Sequence, residues 1–288
     1  MRVIDGAPVA EALYAEVADA AAALPVRPLL AVLVPQEDPA GVLYGEQLSW
    51  DGDELGIDVR TYPLPIDTPA ADLAARLTEL SADPGVHGLS LAEGFLGAEG
   101  LGERIDPAKD VECANPVSLG RLSQGVPAFS PAVPVAVMKL LRHAEIPLAG
   151  TRAVVVAGAA TAGLPMAIHL RAADATVTLA HRRTPDLAAV TAGADVLVSA
   201  VGEGGLITAK HVRPGATVVS VGLDRTGETP DGGTEFGGLI SGAAGDAEAK
   251  EMDGTAGTFI GALTVGALVP TVVLRHVVTA AAAQLRQE

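Results

Sequence analysis

The chain has 288 residues, 49% of them hydrophobic and only 3% aromatic, with 33 Gly and 20 Pro. That is a globular composition with a core built mainly from Ala, Val and Leu, long enough for one large or two modest domains. A formal net charge of −16 argues against sequence-independent nucleic-acid binding, the single cysteine (Cys113) rules out an intramolecular disulfide, and the opening MRVIDGAPVAEALYAEV has no signal-type apolar run, so the expected location is cytoplasmic.

Residues 29–34 (LLAVLV) read as a buried strand. Asp38-Pro39 then has the chemistry of a helix N-cap followed by proline at the first helical position, and the helix should run through Tyr44 and Leu48 towards Gly56. Residues 59–64 suit a short strand, Thr68-Pro69 opens the helix PAADLAARLTEL, and residues 86–91 suit a third strand. Ser130-Pro131 opens the helix PAVPVAVMKLLRHAEI. Short β-branched runs follow at residues 153–156, 176–179, 196–200 and 217–221. They recur about every 20 residues, the βαβ rhythm of a doubly wound parallel sheet. The pattern predicts two α/β domains joined near residues 140–150. Residues 226–254, rich in Gly, Asp, Glu and Thr, read as a long mobile loop. Residues 254–274 carry no charge and are long enough to raise a membrane span, but their glycines, threonines and proline favour a buried loop and a core-facing helix.

The stretch AVVVAGAATAGLPMAIHL (residues 153–170) has the shape of a strand, a glycine turn and a helix start. Gly158 and Gly163 have the spacing of a P-loop, but Leu164 and Pro165 follow where Lys and Ser/Thr are needed, and Ala160 breaks the dinucleotide pattern G-x-G-x-x-G. By itself the turn fits either a phosphate cradle or a tight strand-to-helix turn without a ligand. The next strand ends at His181-Arg182-Arg183, where a doubly wound site holds the adenosine ribose. Arginines there suit a 2′-phosphate and so favour NADP; the alternative is a pair of solvated surface cations.

Taken with IDGAPVAEAL, LLAVLVPQEDPAGVLY, ELGIDVRTYPLP, VHGLSLAEG, DPAKDVECANPVSLGRL, FSPAVPVAVMKLL, ATVTLAHRRT, ADVLVSAVGEGGLI and RPGATVVSVGLDR, the chain resembles the bifunctional methylenetetrahydrofolate dehydrogenase/cyclohydrolase (FolD) family over nearly its whole length. The resemblance implies an α/β fold of two domains. Residues 1–140 with about 265–288 would form a folate-type catalytic domain, and residues 141–264 a Rossmann-like NADP-binding domain. It also implies a cleft between them, a carboxy-terminal helix packed on the first domain and a homodimer made through the Rossmann domain; charge and composition add the expectation of no nucleic-acid or membrane partner. By position it assigns catalytic roles to Tyr44 and Glu112. It assigns cofactor contacts to Gly158, Ala159, Gly163, His181, Arg182, Arg183, Val201 and Gly202, and no metal.

The functional motifs of that family are nonetheless altered in series. Its Tyr-x-x-x-Lys, whose residues share a helix face at i and i+4, reads Tyr44 to Leu48 here. An isobutyl group neither carries a proton nor donates a hydrogen bond. The family glutamine after the next strand is Ala92, the pterin-binding aspartate is Glu112, and the glycine after it is Cys113. Two glycines near the carboxy terminus are Leu263 and Thr264, the phosphate-meeting serine is Ala159, and a common arginine is Leu164. Three readings follow: a divergent protein acting on another small ligand, a dehydrogenase still active in one-carbon metabolism, or a non-catalytic binding or partner subunit. The polar groups available to the first are Tyr44, Glu46, Glu93, Glu112 and Cys113.

Overall fold

The computed structural model describes residues 1–158, 160–222 and 245–286. The elements run β1 (Arg2–Val3), α1 (Ala7–Ala22), β2 (Leu29–Pro35), α2 (Pro39–Leu55), β3 (Asp58–Leu64), α3 (Ala70–Ala82) and β4 (Gly88–Leu91). Then come α4 (Pro116–Ser123), α5 (Ala132–His143), β5 (Arg152–Ala157), α6 (Ala160–Ala172), β6 (Thr176–Ala180), α7 (Leu187–Thr191) and β7 (Val196–Ala200). The last are β8 (Thr217–Ser220), α8 (Ala249–Met252), β9 (Thr258–Ile260), α9 (Ala262–Gly266) and α10 (Val269–Gln284).

The chain divides into two compact units, Ala10–Ala132 with Val269–Glu288, and Met1–Val9 with Val133–Leu268. The first holds a three-stranded parallel sheet in the order β3-β2-β4. Its central strand β2 is buried at every position, as a continuous apolar run covered on both faces must be. Leu29, Ala31 and Leu33 point to one face and pack with Leu73, Leu77 and Leu80, which recur along one side of α3. Helix α10 returns to this unit and packs on α2, β2 and β4. Its approach is close: a Cβ added at Gly88 would lie 2.9 Å from side-chain atoms of both Val111 and Val277. The helical stretch Ala262–Gln284 is long and apolar enough to cross a membrane by length and composition, and within the unit α10 buries Val272, Val273, Leu274, Val277 and Val278.

The other unit holds, among the described residues, a six-stranded sheet in the order β1-β9-β8-β7-β5-β6, with every pair parallel. Val154, Val156, Leu197, Val218 and Phe259 form its core with Leu187, Ile207 and Met252. Strand β5 has β6 on one side and β7 on the other. The chain direction across the sheet therefore reverses at β5, which makes the carboxyl ends of β5 and β7 a topological switch point.

Two expectations change at their edges. Met1–Val9 and Val133–Leu268 group in the six-stranded unit, the first because β1 pairs with β9 in that sheet. The segment read as loop over 226–254 is packed in its last part: Asp246 and Ala247 are buried and α8 is a helical turn. Residues 226–244 lie outside the described residues.

Candidate functional site

In the three-stranded unit the candidate site grows from α2. Asp38 caps the helix, its carboxylate accepting from Ala40 N and Gly41 N at 3.2 and 3.3 Å, and Gly56 ends it in the left-handed region at φ 73°. The inward face carries Gly41, Gly45, Leu48, Gly52 and Leu55. A Cβ at Gly52 would sit 2.7 Å from Val59 Cγ2, so the glycines let α2 lie directly on the sheet. Leu48 is the larger side chain of that face one turn after Tyr44, and it is wholly buried.

Tyr44, half-buried, donates its phenol proton to Glu112 Oε1 at 2.9 Å. The hydroxyl of Ser90, buried on β4, bonds to the other oxygen of the same carboxylate. The turn that carries Glu112 is pinned on both sides. Leu89 N donates to Lys109 O at 2.9 Å, and Lys109 Nζ reaches Asp83 O at 2.6 Å. The Asp110 carboxylate accepts from Ala114 N and Asn115 N at 2.8 and 2.9 Å, and His276 Nδ1 lies 2.8 Å from Val111 O.

Burial raises the Glu112 carboxyl above its ordinary pKa; the bonds from Ser90 and Tyr44 oppose that, and the charges of Asp110 and Glu93 add to it. Burial, and then the Glu112 charge, push the Tyr44 phenol well up, so it remains a neutral donor. The pair is a buried carboxyl held between two hydroxyls. That is acid/base equipment, with each carboxylate oxygen already engaged once.

The other candidates differ. Glu46 and Glu93 are exposed. Cys113 is buried, and burial pushes its thiol up to about 12, which leaves no thiolate to act as nucleophile. Leu263 stands exposed on α9. Among the described residues no group of three or more His, Cys, Asp or Glu is placed to hold a metal ion.

In the six-stranded unit the glycine turn follows β5. Among the described residues, the nearest atom to an added Cβ at Gly158 is Val201 O at 3.8 Å. Gly163 serves packing instead: a Cβ there would lie 2.7 Å from Ala157 Cβ, where α6 meets β5. Ala159 lies outside the described residues. His181, Arg182 and Arg183 are exposed at the end of β6, with His181 N bonded to Thr184 Oγ1 at 3.0 Å. Val201 and Gly202 follow β7, and their amides are both taken by the Asp246 carboxylate, at 2.7 and 2.8 Å. What they offer a ligand is therefore surface and carbonyl groups, not those N–H donors. No local pattern marks Ser90 or Asp246, whose partners come from 22 and 47 residues away.

Residues 4–112 match the family model "Tetrahydrofolate dehydrogenase/cyclohydrolase, catalytic domain", and residues 131–285 match "Tetrahydrofolate dehydrogenase/cyclohydrolase, NAD(P)-binding domain". The bifunctional protein FolD of Parafrankia sp. (strain EAN1pec) is 38% identical over 293 residues, covering 98% of this chain and 99% of that protein. Its counterpart in Nocardia farcinica (strain IFM 10152) is 39% identical over 285 residues, 96% of each. Among solved structures, the bifunctional FolD enzyme of Campylobacter jejuni superposes with a TM-score of 0.86 at 28% identity, covering 98% of this chain and 99% of that one. The Trypanosoma brucei FolD, complexed with NADP cofactor and inhibitor, superposes with a TM-score of 0.89 at 26% identity, covering 99% and 98%.

Proposed function

Because the chain belongs to the tetrahydrofolate dehydrogenase/cyclohydrolase family, we propose that it is a divergent member that binds NADP and a folate-like or altered small ligand, with the cyclohydrolase step weak or lost. The observation that carries this reading is Leu48. It occupies the position of the family's proton-relaying lysine, and its wholly buried isobutyl group supplies neither a proton nor a hydrogen bond there. Hydrolysis of a methenyl ring needs protons moved to and from water, and loss of an acid/base group costs about 10² to 10⁴ in rate. Glu112 points the same way. Both its oxygens are engaged by Tyr44 and Ser90, which alters the carboxylate that the family presents to a pterin.

The nucleotide fits the six-stranded unit. No described residue crowds Gly158 at the switch point, and two exposed guanidinium groups stand at the end of β6. Gly158 would admit the pyrophosphate, and Arg182 and Arg183 would hold the 2′-phosphate. A bound NADP supplies a hydride acceptor. The chain's own contribution to that half of the chemistry is orientation, which does not require a lysine. Strand β6 ends the sheet among the described residues and exposes Leu179 beside Thr178, so it is the edge we assign to a homodimer.

A second reading, a working dehydrogenase on methylenetetrahydrofolate, is favoured by the near full-length identity to bifunctional FolD proteins. One paired experiment separates the two. NADPH formation from 5,10-methylenetetrahydrofolate and NADP, and hydrolysis of methenyltetrahydrofolate, are measured beside a FolD relative. The divergent reading expects hydrolysis about 10² or more below the relative. Hydrolysis at the relative's rate overturns it, and NADPH formation at the relative's rate selects the second reading.

A further inference from the structure

We propose that Asp246 is a positioning residue of the nucleotide site, fixing the loop after β7 that borders the switch-point crevice; the proposal rests on the NADP-binding reading above. The Asp246 side chain is wholly buried. Oδ2 accepts from Ser199 Oγ at 2.8 Å and from Val201 N at 2.7 Å, and Oδ1 accepts from Gly202 N and Glu203 N, both at 2.8 Å. Three successive amides converging on one anion form a nest, the arrangement that elsewhere captures phosphate. Here the chain supplies the anion itself. A carboxylate taken out of water without such partners would be strongly unfavourable, so the four donors and the burial of Asp246 depend on each other.

The surroundings admit only this arrangement. Asp246 N donates to Gly222 O at 3.1 Å, Ile207 N to Asp246 O at 2.9 Å, and Ala247 N to Ser220 Oγ at 3.1 Å. Asp246 thus ties β7, its following loop and the end of β8 into one piece. A Cβ at Gly222 would fall 2.5 and 2.6 Å from the two carboxylate oxygens and 2.3 Å from Gly202 N, so only glycine fits there. The loop so fixed faces the glycine turn: Gly158 N bonds to Ala200 O at 3.4 Å, and Val201 O is, among the described residues, the nearest atom to a side chain at Gly158. Moving the loop moves the wall opposite the turn. A filled nest also has no amides left for phosphate, which directs the phosphates of a bound nucleotide to the Gly158 turn and the arginines after β6.

The test uses the full chain and two readouts. Asp246→Asn keeps the shape but turns an N–H donor towards amide donors. Hydrogen exchange of the Val201, Gly202 and Glu203 amides should accelerate, while the β5 amides keep their protection. The NADP dissociation constant, read by titration, should rise about tenfold or more. In Asp246→Ala, added formate should restore NADP affinity by refilling the nest, with no such effect on wild type. Unchanged exchange, or released amides with an unchanged dissociation constant, overturns the proposal. If neither Asp246 variant folds, Ser199→Ala removes one donor of the four and should shift both readouts the same way by less; no shift in either overturns the proposal. Wild-type chain that fails to bind NADP overturns the cofactor reading, and the nucleotide role of Asp246 with it. Wild-type binding that Asp246→Asn leaves intact overturns the positioning role alone.

Discussion

Tyr44 and Glu112 come from α2 and from the turn after β4, and the phenol of one donates to the carboxylate of the other at 2.9 Å. The first prediction comes from this pair. Burial holds the folded-state pKa of Glu112 above its ordinary 4.5, so the folded protein binds that proton more tightly than the unfolded chain. The stabilisation this gives is full below the unfolded-state value and is lost as pH rises through the folded-state value. Glu112→Gln does not ionise. It should match wild type near the acid end and gain on it as pH rises through that window, in denaturant unfolding from about pH 4 to about pH 8. Parallel curves would show that Glu112 does not titrate this way.

Leu48→Lys should raise methenyltetrahydrofolate hydrolysis by about 10² or more while lowering stability by roughly 2–3 kcal/mol, because an ammonium replaces a packed, wholly buried isobutyl group. Steady-state rates and thermal unfolding of the same preparation check both halves. A folded variant with an unchanged hydrolysis rate removes the role given to this position.

Replacing Arg182 and Arg183 together by alanine should weaken NADP binding by about tenfold or more and leave NAD binding unchanged, since only NADP carries the 2′-phosphate. Both side chains are exposed, so thermal stability should hold. Equal loss for the two nucleotides would place the arginines elsewhere than at the ribose.

Gly163→Ala should destabilise by about 1–3 kcal/mol, because its Cβ would fall 2.7 Å from Ala157 Cβ. An ordinary helical glycine gains up to about 1 kcal/mol from the same change. Gly120 on α4, with no described atom within 4 Å of an added Cβ, is the matched control and should gain. Unfolding midpoints that move in the same direction would contradict the packing role of Gly163.

The edge of β6 gives a last prediction. If it is the dimer seam, Leu179→Lys should convert a dimer to a monomer in light scattering without loss of secondary structure. Leu179 is 52% exposed in the single chain, so the change disturbs no core.

Much of the fold was legible because its signals are local. β2, β5, β7 and β8 are runs of buried apolar residues, and α2 announces both ends through Asp38 and Gly56. β1 and β9 were not legible: at two and three residues they carry no period. The site divides in the same way. Tyr44, Leu48 and Glu112 stand in motifs and could be picked out. That Leu48 is sealed in, that Ser90 completes the carboxylate, and that Asp246 fills a nest are facts about distant segments meeting, which no window of sequence contains. Cys113 is a local case: its φ of 59° is a conformation that glycine, the family residue at this position, adopts freely and that a cysteine does not advertise.

The pairing of β1 with β9 has a consequence for synthesis. Arg2 and Val3 leave the ribosome long before their partners Thr258 and Phe259. The three-stranded unit likewise waits for α10. Neither unit is complete before β9 and α10 have emerged. A nascent chain stalled before β9 should hold two incomplete cores and one unpaired strand edge, a state for chaperones to guard rather than a first domain folded ahead of the second.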